Sequence, residues 1–133
     1  MIKYLLDTNI LIYWTKSKPS IVENITSHGP QALAASVISR TELYYGAYRS
    51  NYIEKNIHSI KRISKEIHFF PVNEDIEKQF GKLKAALRKE GNLIEDFDIM
   101  IAATAIVNKC ILVTNNVQHF ERISELKIEN WLT

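Results

Sequence analysis

An α/β fold built on a mostly parallel sheet is the architecture this sequence specifies. Short apolar runs alternate with helix-patterned stretches along the whole chain. The runs are nearly continuous in apolar character, as strands buried on both faces are. Glycine and proline are scarce, 4 and 3 in 133 residues, which leaves little chain for long linkers. That length is enough for a substantial core, and no repeat or low-complexity segment divides it, so a single domain over residues 1–133 is expected.

The elements follow in order. Ile2–Leu6 reads as the first strand, and the Asp7-Thr8-Asn9 group caps a short helix over Asn9–Lys16. After a turn, Pro19 opens a second helix that Gly29-Pro30 ends near His28. Leu33–Val37 is a short apolar strand. Ser39 then stands as an N-cap with Glu42 three residues on, a capping-box pattern, and that helix runs to about Tyr48. Asn51–Lys65 is amphipathic, with Ile53, Ile57, Ile60 and Ile63 on one side. Ile67–Val72 forms a third strand. Asn73 caps a helix from Glu74 to about Glu90, and Gly91 stops it. Asp96–Asn108 is an almost wholly apolar helix. Ile111–Thr114 is the fourth strand, Val117–Phe120 a short helix and Lys127–Glu129 a weak last strand. Right-handed crossovers put the C-terminal ends of all strands on one edge, where ligand crevices of such sheets lie.

Composition narrows the function classes. Hydrophobic residues make up 46% and charged residues 24%, an ordinary globular balance, and a net charge of +2 does not imply a nonspecific nucleic-acid coat. The single cysteine, Cys110, lies in an apolar run and reads as a buried thiol. It excludes an internal disulfide and a cysteine-based zinc site, which fits a reducing cytoplasm. His28, His58, His68 and His119 lack zinc-like spacing. No signal peptide is expected, and no run approaches the roughly 20 apolar residues of a spanning helix.

Three acids stand out. Asp7 closes the first strand, where a helix cap is the alternative role. Glu42 lies beside Ser39, Tyr45 and Gly46 on its helix, a stripe neither apolar nor plainly solvated. Asp98 sits inside a helix flanked by Phe97, Ile99, Met100 and Ile101. Glu95 and Asp96 already supply the acid that a helix N-terminus favours, so Asp98 needs another reason. Carboxylates gathered in a partly buried site raise one another's pKa, and a divalent cation reverses that penalty. No Ser-His-Asp order and no cysteine nucleophile offers a competing mechanism.

The chain resembles the PIN-domain nucleases, and among them the VapC toxins of type II toxin–antitoxin modules. The resemblance covers essentially the whole chain. It rests on Leu5-Leu6-Asp7-Thr8-Asn9-Ile10, on Ile38-Ser39-Arg40-Thr41-Glu42-Leu43-Tyr44-Tyr45-Gly46, on Asp96-Phe97-Asp98-Ile99-Met100-Ile101-Ala102-Ala103, and on Leu112-Val113-Thr114-Asn115-Asn116. It implies a three-layer α/β/α fold and Mg²⁺- or Mn²⁺-dependent cleavage of structured RNA, with a tRNA anticodon loop, initiator tRNA included, as the expected target. Asp7, Glu42 and Asp98 match the family's metal-binding acids. A VapB-like antitoxin is the implied partner, blocking the active site and contacting DNA itself. Homodimers and toxin–antitoxin hetero-oligomers are expected, and no membrane partner. Thr8, Asn9, Ser39 and Thr114 are candidates to support the acids. The family often carries a fourth acid after the fourth strand. Here Asn116 occupies that position and His119 a neighbouring one, so Asn116 either ligates metal through its amide oxygen or orients a water, while His119 and Arg40 are candidate substrate contacts. One tightly held metal, with a second recruited by substrate, is the expectation.

Two other classes compete. The missing fourth acid motivates a non-catalytic module that binds RNA or protein. A phosphoryl-handling domain also places acids at strand ends, but Asp7-Thr8-Asn9 lacks a second Asp and no Asp follows the third strand.

Overall fold

The computed structural model describes residues 1–132 of the chain. Its strands are β1 (Tyr4–Leu6), β2 (Leu33–Ser36), β3 (His68–Phe70), β4 (Ile111–Val113) and β5 (Ile128–Glu129). The helices are α1 (Thr8–Thr15), α2 (Pro19–His28), α3 (Val37–Tyr48), α4 (Ile53–Glu66), α5 (Glu74–Lys89), α6 (Asp96–Val107) and α7 (Val117–Phe120), with a 3₁₀ turn at Pro30–Ala32. The strands form one sheet in the order β3-β2-β1-β4-β5, and every pairing is parallel.

Strand alternation sorts the core into two layers. Tyr4 and Leu6 point to one face, where α1 to α4 supply Leu11, Trp14, Ile21, Leu43 and Ile60. Leu5 points to the other, against Leu83 and Leu87 of α5, Ile99 and Ile101 of α6, and Phe120. The result is the three-layer α/β/α arrangement, with a sheet covered on both sides as parallel sheets require.

The strand order also fixes where a ligand can sit. From β1 the chain steps through β2 to β3 on one side, then returns to place β4 on the other side of β1. The reversal lies between β1 and β4, and a crevice opens outside the carboxyl ends of these two strands. Asp7 and Thr114 are the residues that immediately follow them.

Local chemistry sets most boundaries. Pro19 begins α2, and Gly29 ends it at φ +86°. Asn73 Oδ1 accepts from the Ile76 N–H at the start of α5, and Gly91 follows that helix at φ +72°. One expectation is corrected. The cap of α3 is Ser36, whose Oγ accepts the Ile38 N–H at 3.0 Å, and not Ser39. β2 ends at Ser36, so the helix starts directly from the strand. Ser39 is therefore fully buried within α3, and Glu42 lies beyond the first turn, with no capping box to complete. Among the described residues no helix is long and apolar enough to cross a membrane.

Candidate functional site

Three segments far apart in sequence deliver the acids to the crevice. Asp7 caps α1 with its own side chain. Oδ1 accepts the Thr8 N–H at 2.8 Å, and Oδ2 accepts the Thr114 hydroxyl at 2.7 Å across the β1/β4 reversal. Both side chains are buried. Thr114 Oγ1 in turn accepts the Asn116 N–H at 2.9 Å, which fixes the turn after β4. Glu42 reaches out from α3 to α1, where Thr8 Oγ1 donates to its Oε1 at 2.7 Å. Ser39 Oγ lies 3.0 Å from the same Thr8 oxygen. Thr8 and Ser39 thus lock the Glu42 carboxylate to the start of α1.

Asp98 occupies the first turn of α6, on the face that continues into the fully buried Ala102 and Ala105. Its Oδ2 lies 3.6 Å from His119 Nδ1, too long for a good hydrogen bond. The same imidazole nitrogen is 2.9 Å from Asn116 Nδ2.

The three carboxylates act on one another electrostatically. Burial pushes the Asp7 carboxyl above the usual carboxylate range, the Thr114 and Thr8 hydrogen bonds draw it partly back, and the Asp98 charge lifts it again. Glu42 is raised by burial, then relieved by Thr8 and lifted by Asp7 and Glu95. Asp98 is raised by burial, relieved by the His119 ring, and lifted by Glu42 and Glu95. Each carboxylate therefore feels at least one of the others. No lysine or arginine pairs with any of the three among the described residues.

These donors suit a hard divalent cation: all are oxygens and they repel one another. No three His, Cys, Asp or Glu side chains among the described residues stand close enough to hold one ion by themselves. The set fits an ion that keeps several waters and takes one or two carboxylates directly, as Mg²⁺ does. Asp7 has one protein partner on each oxygen, and a carboxylate offers about four lone-pair directions, so both oxygens retain capacity.

The remaining candidates divide. Thr8, Ser39, Thr114, Asn116 and His119 all join the network, whereas Asn9 is exposed in the first turn of α1. The Arg40 guanidinium lies 4.4 Å over the Phe69 ring, toward the sheet's β3 edge. Lys16 and Arg49 line a groove of about 320 Å³ that Glu42 also borders, between α1, α3 and α4. Lys18 rests over Tyr13, and Arg88 is exposed in the last turn of α5. Tyr44 packs on the core, while Tyr45 and Tyr48 are exposed.

Sequence reasoning missed Glu95. It precedes α6 as its N-cap residue but makes no capping hydrogen bond, and its charge acts on both Glu42 and Asp98. The pattern of three acids within four residues at a helix start conceals it, because a favourable helix dipole explains such acids without any site.

Comparison with known proteins shows the family of the chain and agrees with its fold. The PIN domain sequence model matches residues 4–126. A Haemophilus influenzae protein named Ribonuclease VapC2 is 40% identical over 132 residues, covering 99% of this chain and all of the relative. A Shigella flexneri protein named tRNA(fMet)-specific endonuclease VapC is 34% identical, covering 98% of this chain and 99% of the relative. The crystal structure of DNA-bound VapBC from Salmonella typhimurium contains a chain that superposes with a TM-score of 0.93 at 32% identity, covering 98% of this chain and 99% of that one.

Proposed function

Because this chain belongs to the PIN-domain family, we propose that it is a VapC-type toxin, a metal-dependent endoribonuclease that acts on structured RNA. The observation that carries this reading is the joining of Asp7, Glu42 and Asp98 into one electrostatically coupled site at the β1/β4 reversal. Asp7 keeps its bland role as the cap of α1, but the bland roles of the other two acids fail there. Glu42 closes no capping box, and Asp98 has no lysine or arginine partner among the described residues.

The reaction is in-line hydrolysis of a phosphodiester. Water attacks phosphorus, the P–O3′ bond breaks, and the products carry a 5′-phosphate and a 3′-hydroxyl. A divalent cation, Mg²⁺ or Mn²⁺, supplies positive charge at the scissile phosphate and eases ionisation of the attacking water when bound. One or two of Asp7, Glu42 and Asp98 would hold it directly and the rest through its waters. Thr114 and Thr8 orient the Asp7 and Glu42 oxygens, so the donor geometry is set before substrate arrives. Lys16 and Arg49, beside Glu42 in the α1/α3/α4 groove, provide positive charge for the RNA backbone.

The Shigella relative's name specifies initiator tRNA. For this chain we take a tRNA anticodon loop as the substrate class and initiator tRNA as its first candidate. The partner is a VapB-like antitoxin that covers the catalytic groove and makes the DNA contact. A homodimer and a toxin–antitoxin hetero-oligomer, acting in the cytoplasm as one domain over 1–133, complete the reading. The test is incubation of antitoxin-free protein with total tRNA and rRNA, with Mg²⁺ or EDTA, beside Asp98→Asn. A discrete cut that needs both metal and Asp98 is expected. Folded, inhibitor-free protein that cuts nothing would favour a non-catalytic binding module, the reading that Asn116 and His119 support by standing where a fourth acid is usual.

A further inference from the structure

Outside the three acids, the polar constellation with the least conventional explanation is Asp98, His119 and Asn116. His119 belongs to α7, a four-residue helix, and Asn116 precedes it. Asn116 does not cap that helix with its side chain. Its amide nitrogen instead sits 2.9 Å from His119 Nδ1, and that nitrogen faces Asp98 Oδ2 at 3.6 Å. The side-chain accessibilities of His119 and Asp98 are 43% and 21%, so both side chains are reached by solvent.

These separations have a direct reading. Two donors bound about 2.1 Å from one ion lie about 3.0 Å apart at a right angle and about 3.4 Å apart at a tetrahedral angle. A half-turn of the Asn116 amide exchanges its nitrogen for oxygen at nearly the same place, an exchange of near-isosteric atoms. Asp98 Oδ2 and Asn116 Oδ1 then both lie within 3.6 Å of His119 Nδ1, so one nitrogen and two oxygens are gathered around the imidazole edge. We infer that Asp98, His119 and Asn116 form a mixed nitrogen–oxygen cation position beside the carboxylate site, one that takes a first-row transition-metal dication in preference to Mg²⁺.

The preference follows from the donor types. Mg²⁺ is held by oxygen ligands and sheds water reluctantly, whereas imidazole nitrogen suits transition metals. An acid at position 119 would make the set all-oxygen and remove the discrimination. The position is also tied to the first site, because the Asn116 N–H is held by Thr114 Oγ1, which holds Asp7 Oδ2.

This inference rests on the metal-binding reading of the acids, and the experiment separates the two. Purified full-length protein is titrated with Mn²⁺ alone and with Mg²⁺ alone by calorimetry, and the Mn²⁺-loaded sample is examined by pulsed electron paramagnetic resonance for ¹⁴N modulation. Wild type should show a histidine nitrogen on Mn²⁺. His119→Ala should lose that signal and about tenfold in Mn²⁺ affinity, while Mg²⁺ affinity changes less than about twofold. His119→Asp, a check that does not depend on one variant folding, should lose the nitrogen signal but tighten Mg²⁺. Mn²⁺ binding without ¹⁴N modulation, or modulation that survives in both variants, overturns the mixed position and leaves the carboxylate site standing. Failure of Mn²⁺ and Mg²⁺ alike to bind overturns both.

Discussion

Replacing Thr114 with Val tests the site's construction without touching an acid. Valine keeps the shape and removes one hydroxyl that makes two contacts. It donates to Asp7 Oδ2 at 2.7 Å and accepts the Asn116 N–H at 2.9 Å. Thr114 is fully buried and Asp7 is 4% exposed, so water cannot take the donor's place at the carboxylate. A hydrogen bond to a charged group contributes about 1.5–3 kcal/mol, and the turn amide, which solvent can reach, adds about 0.5. The expected loss at neutral pH is therefore about 2–3.5 kcal/mol, or roughly 7–12 °C in Tm for a chain of this length. The pH dependence is the sharper test. The lost bond favoured ionised Asp7, so its removal lifts that carboxyl further. The folded variant then holds its proton more tightly than wild type, and its stability falls more steeply as pH rises through the folded pKa. Near pH 4.5, where more of Asp7 is protonated, the bond lost is closer to a neutral one and the deficit shrinks toward about 1 kcal/mol. Urea unfolding in EDTA at pH 7 and pH 4.5 measures both values. A deficit under about 0.5 kcal/mol at pH 7, or one that does not shrink in acid, would falsify the role assigned to Thr114.

Three further outcomes follow from the same geometry. Asp7→Asn should melt higher than wild type in EDTA at neutral pH, because burial raises the Asp7 pKa and ionisation in the fold costs stability; the advantage fades on acidification, and RNA cleavage falls at least about a hundredfold. A lower melting point than wild type at pH 7 would contradict it. All three carboxyls are held above their usual range, so metal-free stability should decline as pH rises from that range toward neutrality, and Mg²⁺ at about a hundred times its Kd should restore about 2.7 kcal/mol at pH 7.5 but far less near pH 4.5. Equal stabilisation at both values would place the ion elsewhere. Glu95→Gln should lower the carboxyl titrations of Glu42 and Asp98 followed by ¹³C NMR, and unmoved titrations would remove Glu95 from the site.

Features governed by neighbouring residues were legible in the sequence. Pro19 and Gly29 bracket α2, and Asn73 and Gly91 bracket α5, because proline geometry, capping hydrogen bonds and positive φ act over a few residues. The start of α3 was not. Ser36 and Ser39 are equally good caps in isolation, and the choice was made by where β2 stops pairing with β3, at Ser36 and Phe70. The acids themselves could be singled out, but their tethers could not. Thr8 and Glu42 are 34 positions apart, and Asp7 and Thr114 are 107 apart, separations that no local pattern encodes. Arg40, a candidate substrate contact by sequence, has its guanidinium over Phe69, another long-range contact that no local pattern encodes.

The hydrogen bond that spans those 107 positions has a consequence for how such a chain is made. Synthesis runs from the N-terminus, and Asp7, Glu42 and Asp98 all emerge before β4. A nascent chain that has produced every acid still lacks the strand that lies beside β1 at the sheet's reversal and the threonine that orients Asp7. The central strand has an open edge until β4 arrives, so the crevice forms only when nearly the whole chain is available to fold. A protein that cuts RNA would thus lack its finished site until β4 has emerged and docked beside β1, however early its acids are made.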